Sequence, residues 1–243
     1  MNLGEARVGT SGWTYKDWRG PFYPAGLRAA SELEHYASVF DCTEINGSFY
    51  RLPSEAAVAA WRTRTPEGFR FAWKVPRYLT HYRRLKDAAE SVALIFERMG
   101  GLGEKSAAAL FQLPPQLKRD DERLASFLPL LAGRGRCVFE FRDPSWYAPE
   151  VFALLAAHDA ALCVSDHAAA PAPWLATARF VYVRGHGPTG RYHGSYEDPA
   201  LDAWADRVRA WRGEGRDVLS FFDNDIKAAA PADALRLRER LAL

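Results

Sequence analysis

Ionisable and amide side chains stand at the ends of short apolar runs along this chain. Glu44 and Asn46 close one run, Lys74 closes the next, and Glu140 and Arg142 close a later one. Because side chains two residues apart lie on the same face of a β-strand, the members of each pair would point the same way. Carboxylates and amines exchange protons and guanidinium groups bind anions, so this pattern indicates a catalytic or ligand-binding site.

Polar residues that follow the other runs complete the candidate site. We predict that proton transfer would be carried by Glu44, Glu140 and Asp166. We predict that a ligand would be bound by Trp13, Asn46, Tyr50, Lys74, His81, Gln112, Arg142, Arg184, His186, Asp223 and Asn224. The cations Lys74, Arg142 and Arg184 suit a phosphate or a carboxylate, and aromatic side chains on the first two loops suit stacking on a base or a sugar.

The same charges also have a structural interpretation. Glu44 with Lys74, and Asp166 with Arg184, come from neighbouring runs and would form buried ion pairs without chemistry. Such pairs are a weak source of stability, because desolvation offsets much of their attraction. The concentration of polar groups at one end of the runs therefore favours a ligand-binding or catalytic site.

Eight apolar or β-branched runs predict the strands that position these residues. The runs cover residues 7–10, 42–45, 70–74, 108–113, 137–141, 161–164, 180–184 and 218–222. Helical periodicity fills most of the intervals, and strict alternation of strand and helix requires a parallel sheet. Eight such units in 243 residues predict one α/β domain, a (β/α)8 TIM barrel with a closed parallel sheet over residues 1–243. A doubly wound open sheet is the competing architecture.

Local signals predict where several helices begin. Ser31 and Glu34 have the spacing of a capping box, and Asp198 before Pro199 has the pattern of a capped helix start. A sixth helix, at 173–178, is the weakest of the set. In a TIM barrel the carboxyl ends of all strands meet at one mouth, so the polar residues above would converge there.

Composition excludes several classes of protein. The chain has 32 Lys and Arg against 30 Asp and Glu, so no strong overall field attracts nucleic acid or anionic lipid. It has no apolar stretch of about 18 residues, which argues against a membrane span. The start of the chain lacks the apolar segment of a signal peptide, and the three cysteines are far apart in apolar runs. We therefore expect a cytoplasmic protein with reduced cysteines.

Motifs for cofactors are weak or absent. The sequence has no HxH or HExxH pair, Walker motif or GxSxG elbow, so we predict no cofactor. A divalent metal held by His81, His186 or His193 with the carboxylates is the open alternative. The GHGPTG stretch at 185–190 follows a strand, but its proline and irregular surroundings argue against a dinucleotide-binding turn.

Several longer motifs occur in a fixed order, among them VGTSGWTYKDWRGPFYP, LEHYASVFDCTEINGSFYRLPS, LFQLPP, EFRDPSW, VYVRGHG and FFDNDIKAAAPADAL. Together with FRFAWKVPRYLTHYRRL they resemble the YecE-like family, also called domain of unknown function 72, over essentially the whole chain. The resemblance implies a TIM barrel in a cytosolic, mostly prokaryotic protein, and it supplies no reaction. That family has been likened to the barrels of apurinic endonucleases and xylose isomerases, and this likeness implies nucleic-acid processing as one possible function.

The resemblance also carries residues of the family motifs onto this chain. Those residues are Gly12, Trp13, Glu44, Asn46, Phe49, Tyr50, Lys74, His81, Gln112, Glu140, Arg142, Trp146, Asp166, Arg184, His186, Gly187 and Asn224. Two positions depart from the family pattern: Asp143 stands where a histidine is usual, and Asp223 where an asparagine is frequent. Both changes would add negative charge near the mouth and disfavour a highly anionic ligand such as DNA.

Three functional hypotheses follow. The first is an enzyme that acts on a phosphorylated, sugar-like or nucleotide-like substrate by hydrolysis or acid–base chemistry. The alternative is a protein that binds or processes nucleic acid with its aromatic loops and basic side chains. The third is a barrel that binds a small anionic or sugar-like ligand without turnover. No membrane partner is expected, and the oligomeric state is left open.

Overall fold

Eight parallel strands form a closed barrel in the computed structural model, which describes residues 3–243. The strands are β1 Ala6–Ser11, β2 Cys42–Ile45, β3 Arg70–Lys74, β4 Ser106–Gln112, β5 Cys137–Glu140, β6 Ala161–Ser165, β7 Phe180–Gly185 and β8 Asp217–Phe222. Each strand pairs with the next one along the chain, and β8 pairs with β1 to close the sheet. The predicted (β/α)8 TIM barrel is confirmed, and all eight predicted strands lie within two residues of their observed ends.

The α-helices surround this sheet. They are α1 Glu32–Val39, α2 Gly47–Tyr50, α3 Glu55–Thr63, α4 Ala89–Gly100, α5 Asp121–Phe127, α6 Pro149–Ala157, α7 Asp198–Gly213 and α8 Ala229–Leu241. Asp120 caps α5 by accepting a hydrogen bond from the Arg123 backbone N–H at 3.0 Å. Two predicted caps are wrong: in the described chain Ser31 makes no side-chain cap, and Asp198 lies inside α7, one residue after its N-cap.

The sixth helix predicted at 173–178 is also wrong. The stretch 166–179, described throughout, contains no helix. A segment of six residues forms too few helical hydrogen bonds to be stable by itself, so its conformation is set by tertiary contacts. The Trp174 ring instead packs at 5.8 Å from Trp211 and 6.0 Å from Trp204, both on α7, and so occupies space next to the barrel.

The strands separate two apolar layers. Side chains such as Phe111 and Phe139 point outward and pack against the helices. Apolar side chains that range from alanine to aromatic rings fill the barrel itself, namely Cys42, Ala72, Ala108, Leu110, Val138, Ala161, Cys163, Ala178, Phe180, Tyr182, Leu219 and Phe221. Because alternate residues of a strand share a face, the next inward positions toward the carboxyl ends are polar. The apolar interior therefore ends in a polar layer at the mouth.

Candidate functional site

A buried guanidinium, that of Arg184, lies at the centre of the polar layer. It donates to Glu44 Oε1 at 2.8 Å, to Glu140 Oε2 at 3.0 Å and to Asp223 Oδ2 at 2.8 Å. The Arg184 and both glutamate side chains are inaccessible to solvent. The Tyr182 hydroxyl, two residues before Arg184 on the same face, donates to Glu44 Oε2 at 2.5 Å. Four strands thus contribute to one network of opposite charges.

A second guanidinium, that of Arg142, extends the network toward solvent. Arg142 Nη2 lies 2.7 Å from Glu140 Oε1 and 3.2 Å from His186 Nε2. Arg184 Nη1 also lies 3.0 Å from His186 Nε2. Since guanidinium groups only donate hydrogen bonds, this geometry assigns His186 Nε2 as an acceptor. His186 Nδ1 then carries the proton and donates to Asp166 Oδ1 at 3.2 Å.

Asp166 is bound by the loop that follows β7. Its Oδ1 accepts from the His186 backbone N–H at 2.6 Å, and its Oδ2 accepts from the Tyr196 hydroxyl. The carboxylate therefore fixes the orientation of the His186 ring from the side opposite to the arginines. This arrangement is typical of a carboxylate that orients a histidine.

The charges of the network set the protonation of its glutamates. Burial by itself would raise the pKa of Glu44, but Arg184 and the Tyr182 hydrogen bond lower it below its usual value. Burial likewise opposes ionisation of Glu140, yet Arg142 and Arg184 hold its pKa far below the usual range. Both glutamates are therefore ionised at neutral pH. A carboxylate in this state is not a proton donor.

Lys74 is the cation of the mouth that protein groups leave free. Among residues 3–243 no group accepts a hydrogen bond from its ammonium, which lies 4.4 Å from the centre of the Phe49 ring. Burial, followed by the positive charge of Arg184, lowers the pKa of Lys74 to about 8. An amine with this pKa exchanges protons readily at physiological pH.

Two histidines border the same space. The His81 ring packs at 4.9 Å from Phe49, and the His167 ring packs at 5.4 Å from His186. Burial, together with Lys74 and Arg142, lowers the pKa of His81 to about 4. Burial and Arg142 lower the pKa of His167 to about 4. Both rings are neutral at physiological pH and can donate or accept hydrogen bonds.

A smaller polar cluster lies between β1, β2 and β8. The Tyr15 hydroxyl donates to the Ser11 carbonyl at 2.5 Å, and Asn46 Nδ2 lies 3.4 Å from the same oxygen. Within the described chain the buried atoms Asn46 Oδ1 and Asp225 Oδ1 have no hydrogen-bond partner. Burial, followed by the charge of Asp223, raises the pKa of Asp225 to about 8. Asp225 is thus a neutral acid at physiological pH.

The remaining predicted ligand-binding residues occupy different places. Gln112, at the end of β4, is 8% exposed and faces inward. It lies directly opposite Glu140 of β5 in the strand pairing. Tyr50 lies on the rim of the mouth and is 68% exposed. The Trp13 ring packs outside the sheet, 6.0 Å from Trp61 and 6.4 Å from Phe71. We therefore assign Trp13 to packing.

Asn224 also turns away from the mouth. Its Nδ2 donates to the Gly194 carbonyl at 2.7 Å and to Asp233 Oδ2 at 2.9 Å. Asp233, on α8, is fully buried and also accepts from the Tyr196 backbone N–H at 3.0 Å. Asn224 thus joins the β7–α7 loop to the last helix, and we assign it to structure instead of ligand binding.

The ion pairs differ from those expected between neighbouring strands. Glu44 binds Arg184 and not Lys74, while Asp166 binds His186 and not Arg184. The long side chain of Arg184 reaches across the barrel and contacts carboxylates from β2, from β5 and from the end of β8. With three carboxylates on it, Arg184 is not available for an anionic ligand.

The two departures from the family pattern add no free negative charge at the mouth. Asp223 is paired with Arg184. Asp143 lies 2.7 Å from the Lys118 ammonium and accepts from the Ser145 backbone N–H at 3.0 Å. The expected repulsion of anions by these residues is therefore largely neutralised.

The carboxylates and His186 of the mouth are engaged with one another and with the arginines. In the part of the chain that the structure describes, no group of three or more His, Cys, Asp or Glu side chains is placed to hold a metal ion. Each carboxylate of the network is bound by a guanidinium or by His186.

Several residues of the site were not predicted from the sequence. They are Ser11, His167, Tyr182, Tyr192, Tyr196 and Asp225. Alternation along β1 and β7 would have indicated Ser11 and Tyr182, because they share a face with inward neighbours. His167, Tyr192 and Tyr196 lie on loops, whose path depends on the folded barrel.

A comparison with family models covers almost the whole chain. Residues 7–243 match the model of a family described as Protein of unknown function DUF72. The chain belongs to the DUF72 family. The YecE-like resemblance of the sequence motifs is therefore confirmed.

Individual proteins match the chain over different extents. The UPF0759 protein YunF of Bacillus subtilis is 24% identical over 96% of this chain and 94% of its own length. The UPF0759 protein YecE of Escherichia coli K12 is 30% identical over 58% of this chain, and the match spans half the length of YecE. A crystal structure of a DUF72 family protein from Thermotoga maritima superposes with a TM-score of 0.88 at 26% identity, covering 98% of this chain and 100% of that one.

The helices give one further finding. Over residues 3–243, none of the helices combines the length and the apolar character that crossing a membrane requires.

Proposed function

We propose that this DUF72 protein is an enzyme that performs acid–base chemistry on a small sugar-like or phosphorylated substrate at the mouth of the barrel. The observation that carries the proposal is the free ammonium of Lys74. It lies on the inward face at the carboxyl end of β3, beside a network in which the other charges are paired. A half-buried amine that has no hydrogen-bond partner among residues 3–243 costs stability, which indicates a functional reason for its presence.

Lys74 is also the residue best suited to transfer a proton. Acid–base catalysts work best when their pKa lies near the operating pH, and the pKa of Lys74 is lowered to about 8. Glu44 and Glu140 are held ionised by their arginines, so they suit an electrostatic role. Hydrolysis of a glycosidic bond by two carboxyl groups requires that one of them be a general acid with a raised pKa. Glu44 and Glu140 do not fit this mechanism, because both have lowered pKa values.

Polar groups around Lys74 can orient a hydroxylated substrate. Gln112 faces the same interior, and the buried Asn46 Oδ1 is an acceptor without a donor in the described residues. Asp225, protonated at neutral pH, supplies a second acid near Asp223. Unpaired donors and acceptors of this kind favour a ligand rich in hydroxyl or carbonyl groups.

The test is a proton-exchange and hydrolysis screen against sugars, sugar phosphates and nucleotides, followed by NMR in deuterated water. For any compound that reacts, Lys74→Met should reduce the rate by at least about 100-fold, within the range of acid–base contributions. The matched control is Lys86→Met, because Lys86 is exposed. The wild-type rate should change with an apparent pKa near 8. Full activity in Lys74→Met would refute the proposal, and retained binding without turnover would favour a ligand-binding barrel.

An exposed aromatic and basic rim supports a second candidate function, the binding of single-stranded nucleic acid. Tyr50, Tyr78 and Tyr82 are 68%, 54% and 65% exposed. The Arg77 guanidinium lies 5.5 Å from the Tyr50 ring and 5.6 Å from the Tyr82 ring. Exposed rings beside cations are what bases and phosphates of a single strand require.

Fluorescence anisotropy with a labelled oligothymidine tests this candidate. Binding should weaken steeply as salt rises, because phosphate contacts release counterions. Tyr50→Ala and Tyr82→Ala should each weaken binding. Arg207→Ala should not, because Arg207 lies on α7, where its guanidinium faces the Trp174 ring and not the tyrosines of the rim. Absence of binding at low salt would exclude the candidate without affecting the Lys74 proposal.

A further inference from the structure

The guanidinium of Arg142 is not saturated by the protein. Arg142 is 6% exposed, and its buried Nε has no hydrogen-bond partner among residues 3–243. Nη2 is occupied by Glu140 and His186, but Nη1 donates only to the Tyr192 hydroxyl, at 2.8 Å. A buried cation therefore has a neutral phenol as one of its acceptors, where an anion would form a stronger hydrogen bond.

Tyr192 is held in this place by a strained backbone. Its φ of +66° lies in the left-handed region, which is unfavourable for a bulky side chain. Its backbone N–H donates to the His186 carbonyl at 2.6 Å, and its ring packs at 5.0 Å from His186 and 5.7 Å from His167. Strain of this kind persists where neighbouring contacts impose it, and it is frequent at ligand sites.

There is space beside Tyr192 for a change of position. A recess of about 350 Å³ is lined by His167, Ala168, Ala169, Gly190, Arg191 and Tyr192 itself. Tyr192 is 38% exposed, so its ring is covered on one side only. The phenol can leave Arg142 without unpacking the barrel core.

The surroundings favour an anion at the position of the phenol oxygen. Lys74 carries no hydrogen-bond partner in the described chain, and its charge and that of Arg142 both act on His81. The Glu140 carboxylate is already shared between Arg142 and Arg184. The charges of Glu140, Asp223 and Glu44 also act on Lys74, but in the described chain none of these carboxylates accepts a hydrogen bond from its ammonium, so Lys74 and Arg142 Nε keep donors for an anion.

We propose that Arg142 binds an anionic group of the substrate, a phosphate or a carboxylate, at the place that the Tyr192 hydroxyl occupies in the free protein. Tyr192 is then a displaceable substitute for the anion and controls access to Arg142. This inference deepens the proposed function, because it gives the substrate of the Lys74 site an anionic group. No covalent bond is made or broken when the anion displaces the Tyr192 hydroxyl.

Calorimetric titration with inorganic phosphate and, separately, with acetate tests the proposal and distinguishes the two anions. Tyr192→Phe removes the competing hydroxyl and should tighten binding about fivefold, the factor for about 1 kcal/mol of a lost hydrogen bond. Arg142→Lys keeps the charge but loses the planar donors, and should weaken binding at least about tenfold. The control Tyr78→Phe, on the exposed rim, should bind as the wild type does.

A second readout separates this role from a structural one. Bound phosphate would raise the pKa values of His81 and His167 from about 4, which NMR titration of the imidazole signals would detect. Unchanged or weaker binding in Tyr192→Phe, or no binding to either anion by wild type and Tyr192→Phe, would overturn the proposal. If Tyr192→Phe tightens binding while Lys74→Met keeps full turnover, the anion site stands and the proposed function of Lys74 fails.

Discussion

Replacement of Arg184 by methionine tests how the buried network is held together. In the wild type, Arg184 contacts three carboxylates at 2.8 to 3.0 Å, with no solvent access to its side chain. Methionine fills a similar volume but leaves Glu44, Glu140 and Asp223 without this cation. Removal of one partner from a buried ion pair destabilises a protein by about 3–5 kcal/mol. We expect Arg184→Met to lower the free energy of unfolding by about that amount, out of the total of about 5–15 kcal/mol that is typical of a folded protein.

The pH dependence of this loss follows from the pKa shifts. The pKa values of Glu44 and Glu140 are lowered in the folded wild type, so their stabilisation is fully present above their ordinary pKa of 4.5. It is lost as the pH falls through their folded-state values. In Arg184→Met the same buried carboxylates prefer the protonated form, so this variant loses stability as the pH rises above about 4.5. The difference between the two proteins should therefore be largest at pH 7, smaller near pH 4, and smaller still as the pH approaches the lowered folded-state values.

Urea unfolding followed by circular dichroism at pH 7 and near pH 4 measures both effects. The control is Arg209→Met, whose guanidinium forms an exposed pair with Asp206 at 2.7 Å. Because solvent screens such a pair, its loss should cost no more than about 1 kcal/mol at either pH. If Arg184→Met is as stable as this control at pH 7, or if its deficit does not shrink toward pH 4, the network does not depend on Arg184 as argued.

Three further substitutions have defined outcomes. Lys74→Met should stabilise the protein at pH 7, because folding lowers the pKa of Lys74 to about 8 and so disfavours the charged amine. This gain in the free energy of unfolding should vanish as the pH rises from 8 toward 10.5, the pKa of Lys74 in the unfolded chain. Asn224→Ala should destabilise by about 1–3 kcal/mol, because buried Asp233 loses a donor, and it should leave ligand binding unchanged. Gly185→Ala should destabilise by about 1–3 kcal/mol, since its methyl group would lie 2.7 Å from the Trp204 ring.

Thermal and urea unfolding check all three. Gly68→Ala is the control for Gly185→Ala, because no atom lies within 4 Å of the added methyl group at Gly68. A stability gain of Lys74→Met that persists at pH 11 would contradict the titration argument. Weaker phosphate binding in Asn224→Ala would return that residue to the ligand site, and an unchanged midpoint in Gly185→Ala would contradict the packing argument.

The barrel could be predicted because its signals are local. Each strand is a short apolar run with side chains that alternate between two faces, and both properties are visible in a few consecutive residues. The inward placement of Glu44, Lys74, Glu140 and Arg184 follows from the same alternation. The sixth helix was predicted wrongly, because the path of so short a segment is set by the packing of Trp174 on α7 and not by a local pattern.

Which groups meet was decided by the tertiary structure. The position of Arg184 at the carboxyl end of β7 can be predicted from the sequence. Only closure of the barrel brings Arg184 to Glu44, 140 residues away along the chain. The same closure leaves Lys74 without a hydrogen-bond partner in the described chain and places the Tyr192 hydroxyl on Arg142. Alternation depends on neighbouring residues, whereas pairing across a barrel depends on distances that no local pattern contains. The sequence therefore determined the barrel and its polar mouth, and the fold decided which charges are satisfied and which remain for a ligand.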